Sequence, residues 1–259
     1  MNLRFEKYHG AGNDFIMLDG WELFPELTHQ QIRFLCDRHF GIGADGLMII
    51  RQHPDFDFEM LYYNADGAQG SMCGNGGRCI SRYAMEKKYV GNQCRFLASD
   101  GPHESVLLED NYIGLRMKDV TGVEKTGEDV FVDTGSPHYI RYVDNVSELD
   151  VFSEGRKIRF SEPYKVQGTN VNFVMPYADG FYVRTYERGV EAETLSCGTG
   201  VTAVALAAGE AGNLEGRQLV KIFTSGGELR VRFDRNENGF KNIWLEGPAE
   251  KVFTGEIKV

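Results

Sequence analysis

Short stretches of alternating or continuous apolar residues dominate the pattern along this chain. Such stretches, bounded by turn-forming residues, are typical of β-strands. We predict strands over residues 3–7, 14–19, 47–51, 56–63, 95–99, 104–108, 112–118, 130–133, 138–143, 170–175, 181–186, 219–224, 228–234 and 242–246. Because the chain also contains 31 glycines, these strands are expected to form antiparallel sheets with tight turns.

Four segments have helical rather than strand-like spacing. Thr28 with Gln31 three residues later forms a capping-box signature, which predicts a helix that begins there. Further helices are predicted over residues 76–88, 151–157 and 200–210. The last of these is apolar around its whole circumference, so we expect it to be buried on all sides.

A weak internal repeat relates the two halves of the chain. In each half a C-G-x-G tetrapeptide follows a strand and opens a helix, with Cys73 first in one and Cys197 first in the other. A polar residue lies upstream in each case, Asn64 or Glu187. Repeated units imply a shared architecture. We therefore predict two lobes, residues 1–118 joined by the last strand at 250–259, and residues 119–249, packed so that both turns face one cleft.

Composition and charge exclude several classes of protein. The content of 42% hydrophobic and 25% charged residues is ordinary for a globular domain. A formal charge of −10 argues against nucleic acid and anionic membrane surfaces as partners, since both need a basic surplus. No apolar run approaches the roughly 20 residues that span a bilayer. The polar N-terminus is unlike a signal peptide. We expect a cytoplasmic protein that acts on a small molecule.

The five cysteines are expected to be reduced thiols, because an odd number without an export signal does not suggest a disulfide framework. Their spacing matches no metal site, so no metal is predicted. Cys36 falls on the apolar face of the first helix, and Cys79 and Cys94 lie away from helix starts, so these three are interpreted as packing residues. Cys73 and Cys197 differ, since each opens a helix between glycines.

A cysteine at a helix start has a chemical consequence. The unpaired N–H groups of the first turn can hold a carboxylate, and their positive field lowers a thiol pKa from ~8.5 into the range of ~3.5–7.5. Glycines allow close approach of the backbone to a ligand and positive φ angles. A lone cysteine of this kind is more often a packing residue. Two in matching repeat positions predict an acid/base pair that inverts the α-carbon of an amino acid without a cofactor.

Beyond these turns, the chain resembles the diaminopimelate epimerases over nearly its whole length. The segments that carry the resemblance are K-Y-H-G-A-G-N-D-F from Lys7, G-I-G-A-D-G from Gly41, N-A-D-G from Asn64, C-G-N-G-G-R-C from Cys73, G-S-P-H from Gly135, Y-E-R-G from Tyr186, and E-T with C-G-T-G up to Gly200. The resemblance implies an α+β fold of two pseudo-symmetric β-rich lobes, each a mainly antiparallel sheet around a central helix. It also implies a homodimer without cofactor or metal that interconverts LL- and meso-2,6-diaminopimelate for lysine and peptidoglycan synthesis.

The same resemblance implies roles for single residues. Cys73 and Cys197 match the acid/base pair, and His138 and Glu187 match residues that tune the thiol pKa values. The residues that match the α-carboxylate cradle are Gly74, Asn75, Gly198 and Thr199. The residues that match other contacts to the substrate are Asn13, Asn64, Asn170, Glu187 and Arg188, with the arginine fork suited to a carboxylate.

Each of these residues also has a purely structural interpretation. Asn13 could cap a turn, His138 could be an ordinary loop histidine, and Arg188 could form a surface ion pair. Asn172 competes with Asn170, because strand alternation puts both on one face. Three features depart from the family. Many of its members have Gln where this chain has Gly46, and Asn where it has Ser136. The segment between Arg188 and Cys197 is also one residue longer here than is usual in the family. The alternatives to a diaminopimelate epimerase are a two-thiol racemase for another amino acid, of histidine or hydroxyproline type, and a non-catalytic amino-acid-binding protein on the same fold.

Overall fold

The computed structural model describes residues 2–22, 26–70, 72–212 and 219–259. The chain divides into two units of similar size, one formed by residues 1–115 and 247–259 and the other by residues 116–246.

The first unit contains two helices among its strands. The strands are β1 (Asn2–Gly10), β2 (Asn13–Asp19), β3 (Gly46–Arg51), β4 (Phe58–Asn64), β5 (Gln93–Ala98), β6 (Gly101–Leu107), β7 (Ile113–Arg116), which ends just past the boundary, and β17 (Glu250–Lys258) from the C-terminal end of the chain. The helices are α1 (His29–Cys36) and α2 (Gly74–Glu86).

Most strand pairs in the first unit are antiparallel. From β17 the order runs through β1, β2, β3, β4, β5 and β6 to β7, and only the β2–β3 and β4–β5 pairs are parallel. Helix α2 contacts β1, β2, β3 and β6. Its residues from Gly74 through Ser81 are all buried, so this helix forms the centre of the unit.

The second unit repeats this plan. Its strands are β8 (Glu124–Thr126), β9 (Asp129–Asp133), β10 (Pro137–Tyr142), β11 (Asn170–Tyr177), β12 (Gly180–Glu187), β13 (Ala192–Thr194), β14 (Leu219–Thr224), β15 (Gly227–Asn236) and β16 (Gly239–Gly247). Its helices are α3 (Val151–Arg159) and α4 (Gly198–Glu210). The β10–β11 and β12–β14 pairs are parallel and the others within the unit are antiparallel.

Parallel pairs thus recur at matching places in the two units, each followed by an antiparallel pair. Helix α4 takes the place of α2 and contacts β9, β10, β11, β14 and β15. Its residues from Val201 through Gly209 are all buried, as its very apolar composition predicted. The predicted α+β fold of two β-rich lobes, each around a central helix, is confirmed.

The helix bounds differ from the sequence prediction at both ends, since α2 ends at Glu86 rather than at residue 88 and α3 ends at Arg159 rather than at residue 157. The capping box of Thr28 and Gln31 is present at the start of α1, as predicted. Helices α2 and α4 begin two residues earlier than predicted, at Gly74 and Gly198, because the preceding cysteine has an extended backbone and is the N-cap. Glycine does not disrupt a first turn, whose N–H groups have no partner within the helix. Two strands of three residues, β8 and β13, were not predicted, because they are too short to show alternation.

Among the described residues, no helix is long and apolar enough to cross a membrane.

Candidate functional site

Cys73 is the N-cap of α2, with φ of −111° and ψ of 126°, and its side chain makes no capping hydrogen bond to the helix. The first turn contains no acidic side chain. The partial positive charge of the helix start is therefore not neutralised from within the helix, and the N–H groups of Gly74 and Asn75 are suited to an anionic ligand. Cys73 is half-buried, whereas Gly74 and Asn75 are buried.

Asn13 is positioned against this turn by a hairpin. Strands β1 and β2 are joined by Ala11 and Gly12, which both have positive φ, the conformation that a two-residue turn requires. The Asn13 Oδ1 atom then accepts hydrogen bonds from the Cys73 thiol at 3.5 Å and from Asn75 Nδ2 at 3.3 Å. The turn and the hairpin thus form one polar cluster at the start of α2.

Asp45 determines the orientation of the Asn13 amide. The Asn13 Nδ2 atom donates to Asp45 Oδ2 at 2.7 Å, and because a carboxylate only accepts, the amide oxygen must face Cys73. Asp45 in turn accepts from Arg38 at 2.7 Å. Arg38 also pairs with Asp14, which lies 2.8 Å from Lys7. Burial alone would raise the pKa of Asp14, but the hydrogen bonds from Arg38 and Lys7 hold it below its ordinary value.

Asn64 is the last residue of β4 and is exposed. It lies directly opposite Gly46 of β3 in the antiparallel register. A Cβ atom at Gly46 would lie 2.6 Å from the ring of Tyr62 and 2.7 Å from the carbonyl oxygen of Tyr63. The side chain that many family members have at Gly46 therefore does not fit here, because Tyr62 occupies the space.

In the second unit Cys197 is the N-cap of α4, with φ of −115° and ψ of 110°. Its side chain also leaves the helix start uncapped, and the first turn again lacks an acidic residue. The Cys197 sulfur lies 3.5 Å from the Thr199 hydroxyl. Cys197 is almost fully buried, and Thr199 is half-buried. The two helix starts are therefore alike in conformation and in the absence of a side-chain cap.

His138, at the start of β10, is fully buried and neutral. Burial is the main cause that lowers its pKa to about 3, and the charge of Arg188 lowers it further. Its Nδ1 atom lies 3.2 Å from Asn172 Nδ2, which also donates to the Tyr139 carbonyl oxygen at 3.0 Å. The Asn172 Oδ1 atom accepts from Thr185. The amide therefore donates to Nδ1, and the proton of the neutral ring lies on Nε2.

The Nε2 atom of His138 is buried without a hydrogen-bond partner among the described residues. The ring lies against the first turn of α4, since a Cβ atom at Gly200 would be 3.3 Å from His138 Cε1 and 3.4 Å from Cys197 Cβ. A buried N–H without a partner is rare and is commonly satisfied by a ligand or water. His138 is thus suited to donate a hydrogen bond beside Cys197.

Asn170 connects two other candidate residues. Its Nδ2 atom donates to Ser136 Oγ at 2.9 Å, and its Oδ1 atom accepts from the backbone N–H of Arg188 at 2.9 Å. The Arg188 guanidinium donates to the Gln167 carbonyl oxygen at 3.0 Å and forms no ion pair with any described carboxylate. Some of its donors remain available for a carboxylate ligand. Glu187, at the end of β12, accepts from Thr194 Oγ1 at 2.9 Å.

The glycines of the two C-G-x-G turns act differently from the expectation. Their backbone is helical, and none of Gly74, Gly76, Gly198 and Gly200 is among the residues with positive φ. Gly76 and Gly200 are needed for space instead. A Cβ atom at Gly76 would overlap the end of Met48, and one at Gly200 would lie 2.5 Å from Asn172 Oδ1.

Within the units, the structure therefore brings together several of the predicted residues. Asn13, Cys73 and Asn75 form one cluster in the first unit. Cys197 lies beside Thr199, and Asn170 beside Arg188, in the second. Four further polar residues support these clusters but were not selected from the sequence: Asp45, Arg78, Asn172 and Thr185. Three of them had a signal in the sequence, because Asp45 and Arg78 lie within the family segments from Gly41 and Cys73, and Asn172 lies two residues from Asn170 on the same strand face.

Cys36, Cys79 and Cys94 are buried, in agreement with their interpretation as packing residues. Burial raises the pKa of the Cys36 thiol to about 12 and holds those of Cys79 and Cys94 above their ordinary value. Among the described residues, no group of three or more His, Cys, Asp and Glu side chains could hold a metal ion.

Comparison with known proteins agrees with the resemblance seen in the motifs. The profile of the family described as diaminopimelate epimerase matches residues 5–121 and 130–252. The chain is 47% identical to a diaminopimelate epimerase of Flavobacterium psychrophilum over 98% of this chain and 100% of that protein. It is 42% identical to one of Chlorobaculum tepidum over 96% and 98% of the two chains.

A solved structure extends the similarity in fold. The phenazine biosynthesis protein of the PhzF family from Bacillus anthracis matches with a TM-score of 0.80 over 100% of both chains, at 12% sequence identity. At that identity the match concerns the fold alone. The profile match and the full-length relatives, by contrast, establish the family. The chain belongs to the diaminopimelate epimerase family.

Proposed function

We propose that this protein interconverts LL- and meso-2,6-diaminopimelate without a cofactor, using Cys73 and Cys197 as its acid/base pair. Family membership makes the chain an isomerase. One observation supports the mechanism. Each cysteine occupies the N-cap position of the central helix of its unit without a side-chain hydrogen bond to the helix, and the two units share the same plan.

The proposed reaction is a two-base inversion. One cysteine, as a thiolate, removes the α-proton from one face of the substrate carbon, and the other cysteine, as a thiol, delivers a proton to the opposite face. Each thiol ends in the protonation state in which its partner began, so the roles exchange with the hand of the substrate. The proton count balances, and no electron acceptor is needed.

The carbanion is the difficult species, because an α-proton is weakly acidic. Charge that develops on the α-carboxylate would be stabilised by N–H groups of the two first turns, at Gly74 and Asn75 and at Gly198 and Thr199. These groups are oriented before the reaction, so they need no reorganisation as the charge forms.

Other residues are assigned to binding and tuning. The Nε2–H of His138 is suited to donate to the Cys197 thiolate or to the carboxylate beside it. Glu187 would accept a hydrogen bond from the substrate ammonium and adjust the pKa of the Cys197 thiol. Arg188, with free donors and no described carboxylate partner, would hold the distal carboxylate. The remaining substrate contacts are assigned to Asn13, Asn64 and Asn170. We also propose that the enzyme acts in the cytosol as a homodimer, in lysine and peptidoglycan synthesis.

The test is incorporation of deuterium at the α-carbon. In deuterated water the protein is expected to exchange the α-proton of diaminopimelate much faster than that of histidine, proline, hydroxyproline or lysine. Faster exchange into one of those amino acids would assign the chain to a racemase for it. Binding of diaminopimelate without exchange would identify a non-catalytic binding protein.

A further inference from the structure

Arg78 lies in the second turn of α2 and is the largest fully buried side chain of the described residues. Its guanidinium donates to the Gly74 carbonyl oxygen at 3.3 Å, to Asn75 Oδ1 at 2.8 Å and, over a longer 3.5 Å, to the Pro248 carbonyl oxygen. All three acceptors are neutral. No described carboxylate forms an ion pair with Arg78, which is unusual because a buried charge normally has a partner of opposite charge.

The positive charge of Arg78 therefore needs a negatively charged partner other than a described carboxylate. Burial lowers the pKa of Arg78, whereas negative charge on Cys79 or Cys73 would raise it. An arginine nevertheless stays protonated in a protein. Cys79 remains a thiol because its burial raises its pKa. Tyr112 also interacts with Arg78, but phenols are neutral near pH 7. Cys73 is the remaining group that can become the counter-ion.

The second unit has no such charge at the matching position. Arg78 follows Cys73 by five residues, and Thr202 follows Cys197 by five. Each side chain donates to the carbonyl oxygen of the glycine after its cysteine, Thr202 to Gly198 at 2.9 Å. The same contact to a first-turn carbonyl oxygen is thus made once by a cation and once by a neutral hydroxyl.

The other groups around each cysteine do not remove this difference. Asn13 Oδ1 accepts from the Cys73 thiol and so favours its protonated form, and the charges of Lys7, Asp14, Arg38 and Asp45 behind it compensate one another. Beside Cys197, His138 is neutral, and the charges of Glu187 and Arg188 are opposite and adjacent in sequence.

We propose that Arg78 is a positioning residue that supplies a fixed positive charge to Cys73, and that this charge makes ionisation of Cys73 easier than its surroundings would otherwise allow. The inference rests on the proposed two-thiol function. It means that the fixed charge near Cys73 differs from that near Cys197. The guanidinium, by binding Gly74 and Asn75, would apply the same charge to a carboxylate held at this helix start.

The test is the pH dependence of thiol alkylation. Wild-type protein and the variants Arg78→Lys and Arg78→Gln are treated briefly with iodoacetamide between pH 5 and 10, and labelled Cys73 and Cys197 peptides are quantified in the same sample by mass spectrometry. Arg78→Gln keeps hydrogen-bonding groups but loses the charge, so the midpoint for Cys73 should rise by about one pH unit. Arg78→Lys keeps the charge and should stay within about half a unit of wild type. The Cys197 midpoint should not move.

Thr202→Val is the matched control, and it should leave the Cys73 midpoint unchanged. If Arg78→Lys shifts Cys73 as far as Arg78→Gln does, the hydrogen bonds rather than the charge are responsible and the proposal is wrong. Unchanged midpoints in both variants would also overturn it. Should Arg78→Gln not fold, Asn75→Asp places a carboxylate against the retained arginine and is expected to raise the Cys73 midpoint. Because alkylation needs no turnover, these outcomes are independent of whether diaminopimelate is the substrate.

Discussion

Asn172 Nδ2 lies 3.2 Å from His138 Nδ1 and places the proton of this buried imidazole on Nε2. The amide is held in that orientation from two sides, by the Tyr139 carbonyl oxygen and by the Thr185 hydroxyl. His138 therefore presents a donor in a fixed direction, next to the first turn of α4. This relationship separates the functions of two asparagines that the sequence could not separate.

Replacement of Asn172 should change the tautomer of His138 while the histidine itself stays in place. In Asn172→Ala the Nδ1 atom loses its donor, so the ring can adopt the other tautomer. Loss of a buried hydrogen bond costs about 1–3 kcal/mol, and we expect kcat/KM for epimerisation to fall by about tenfold or more. Nitrogen NMR shifts of His138 should show a change of tautomer.

Asn170→Ala is the matched control. Asn170 contacts Ser136 and the backbone of Arg188 rather than His138, so its replacement should act mainly on KM and leave the tautomer unchanged. An unchanged tautomer in Asn172→Ala would contradict the assignment.

The buried neutral histidine also predicts how stability depends on pH. The pKa of His138 is about 3 in the folded protein and about 6.5 in an unfolded chain. Between these values the unfolded state binds one proton more than the folded state, so the free energy of unfolding falls as the pH decreases from 6.5 toward 3. His138 contributes a slope of at most about 1.4 kcal/mol per pH unit.

Denaturant unfolding at pH 7, 6, 5 and 4.5 tests this contribution. His138→Gln cannot be protonated, so its free energy of unfolding should decline less steeply over this range than that of the wild type. His53→Gln is the control for the substitution itself, because it makes the same replacement at a half-buried histidine of the other unit. Equal slopes for wild type and His138→Gln would mean that His138 binds its proton as readily in the folded protein as in the unfolded chain, which would contradict a buried neutral histidine.

Local signals in the sequence account for most of the secondary structure. The capping box of Thr28 and Gln31 is short-range chemistry, and it predicts α1 correctly. The uniform apolar composition of α4 predicts its burial. The two C-G-x-G turns are equally local, and their repetition predicts the shared plan of the two units. Strands β8 and β13 could not be predicted, because three residues are too few to show alternation and form a strand only beside a partner strand.

Contacts between distant segments explain what the sequence does not reveal. Asn170 and Asn172 share a strand face. The parallel register of β10 with β11 pairs His138 with Asn170, yet it is the side-chain amide of Asn172, two residues further on, that lies 3.2 Å from the His138 ring. Arg78 looks like an ordinary helical arginine, and its burial depends on strands far away in the chain. The space at Gly46 is set by Tyr62, across a strand pair. The residue types near the site could therefore be predicted from the sequence. The contacts by which one side chain orients another could not.

The glycines at matching positions of α2 and α4 should differ in their tolerance of a methyl group. At Gly200 the added Cβ would lie 2.5 Å from Asn172 Oδ1, on a side chain held by several hydrogen bonds. At Gly76 it would meet the flexible end of Met48, which can rotate away. Overpacking costs about 1–3 kcal/mol. We expect Gly200→Ala to lower both kcat/KM, by tenfold or more, and the free energy of unfolding, and Gly76→Ala to have the smaller effect on kcat/KM.

A second substitution separates the two cases. Met48→Ala leaves a cavity of its own because Met48 is buried, but it should cost less stability in the Gly76→Ala background than in the wild type, since it also removes the group that the new methyl meets. In Gly200→Ala it should cost as much as in the wild type. Wild-type activity in Gly200→Ala would mean that Asn172 can move freely, against the role assigned to it above.

The central prediction concerns the two N-cap cysteines. Cys73→Ser and Cys197→Ser should each reduce epimerisation by about 100-fold or more, because a hydroxyl at the same place is a far weaker acid than a thiol and cannot provide the base. Cys94→Ser is the matched control, since Cys94 is buried with its sulfur 3.0 Å from Ser105 Oγ, a contact that serine can retain. The turnover of Cys94→Ser, like that of Cys36→Ser, should stay near wild type once activity is divided by the folded fraction, which thermal unfolding measures.

Deuterium exchange adds a finer criterion for the two N-cap cysteines. A variant that keeps one cysteine can still exchange the α-proton of one substrate hand slowly, but it cannot deliver a proton to the other face. Ordinary turnover in both single variants would leave the uncapped helix starts without a catalytic role and would refute the two-thiol mechanism.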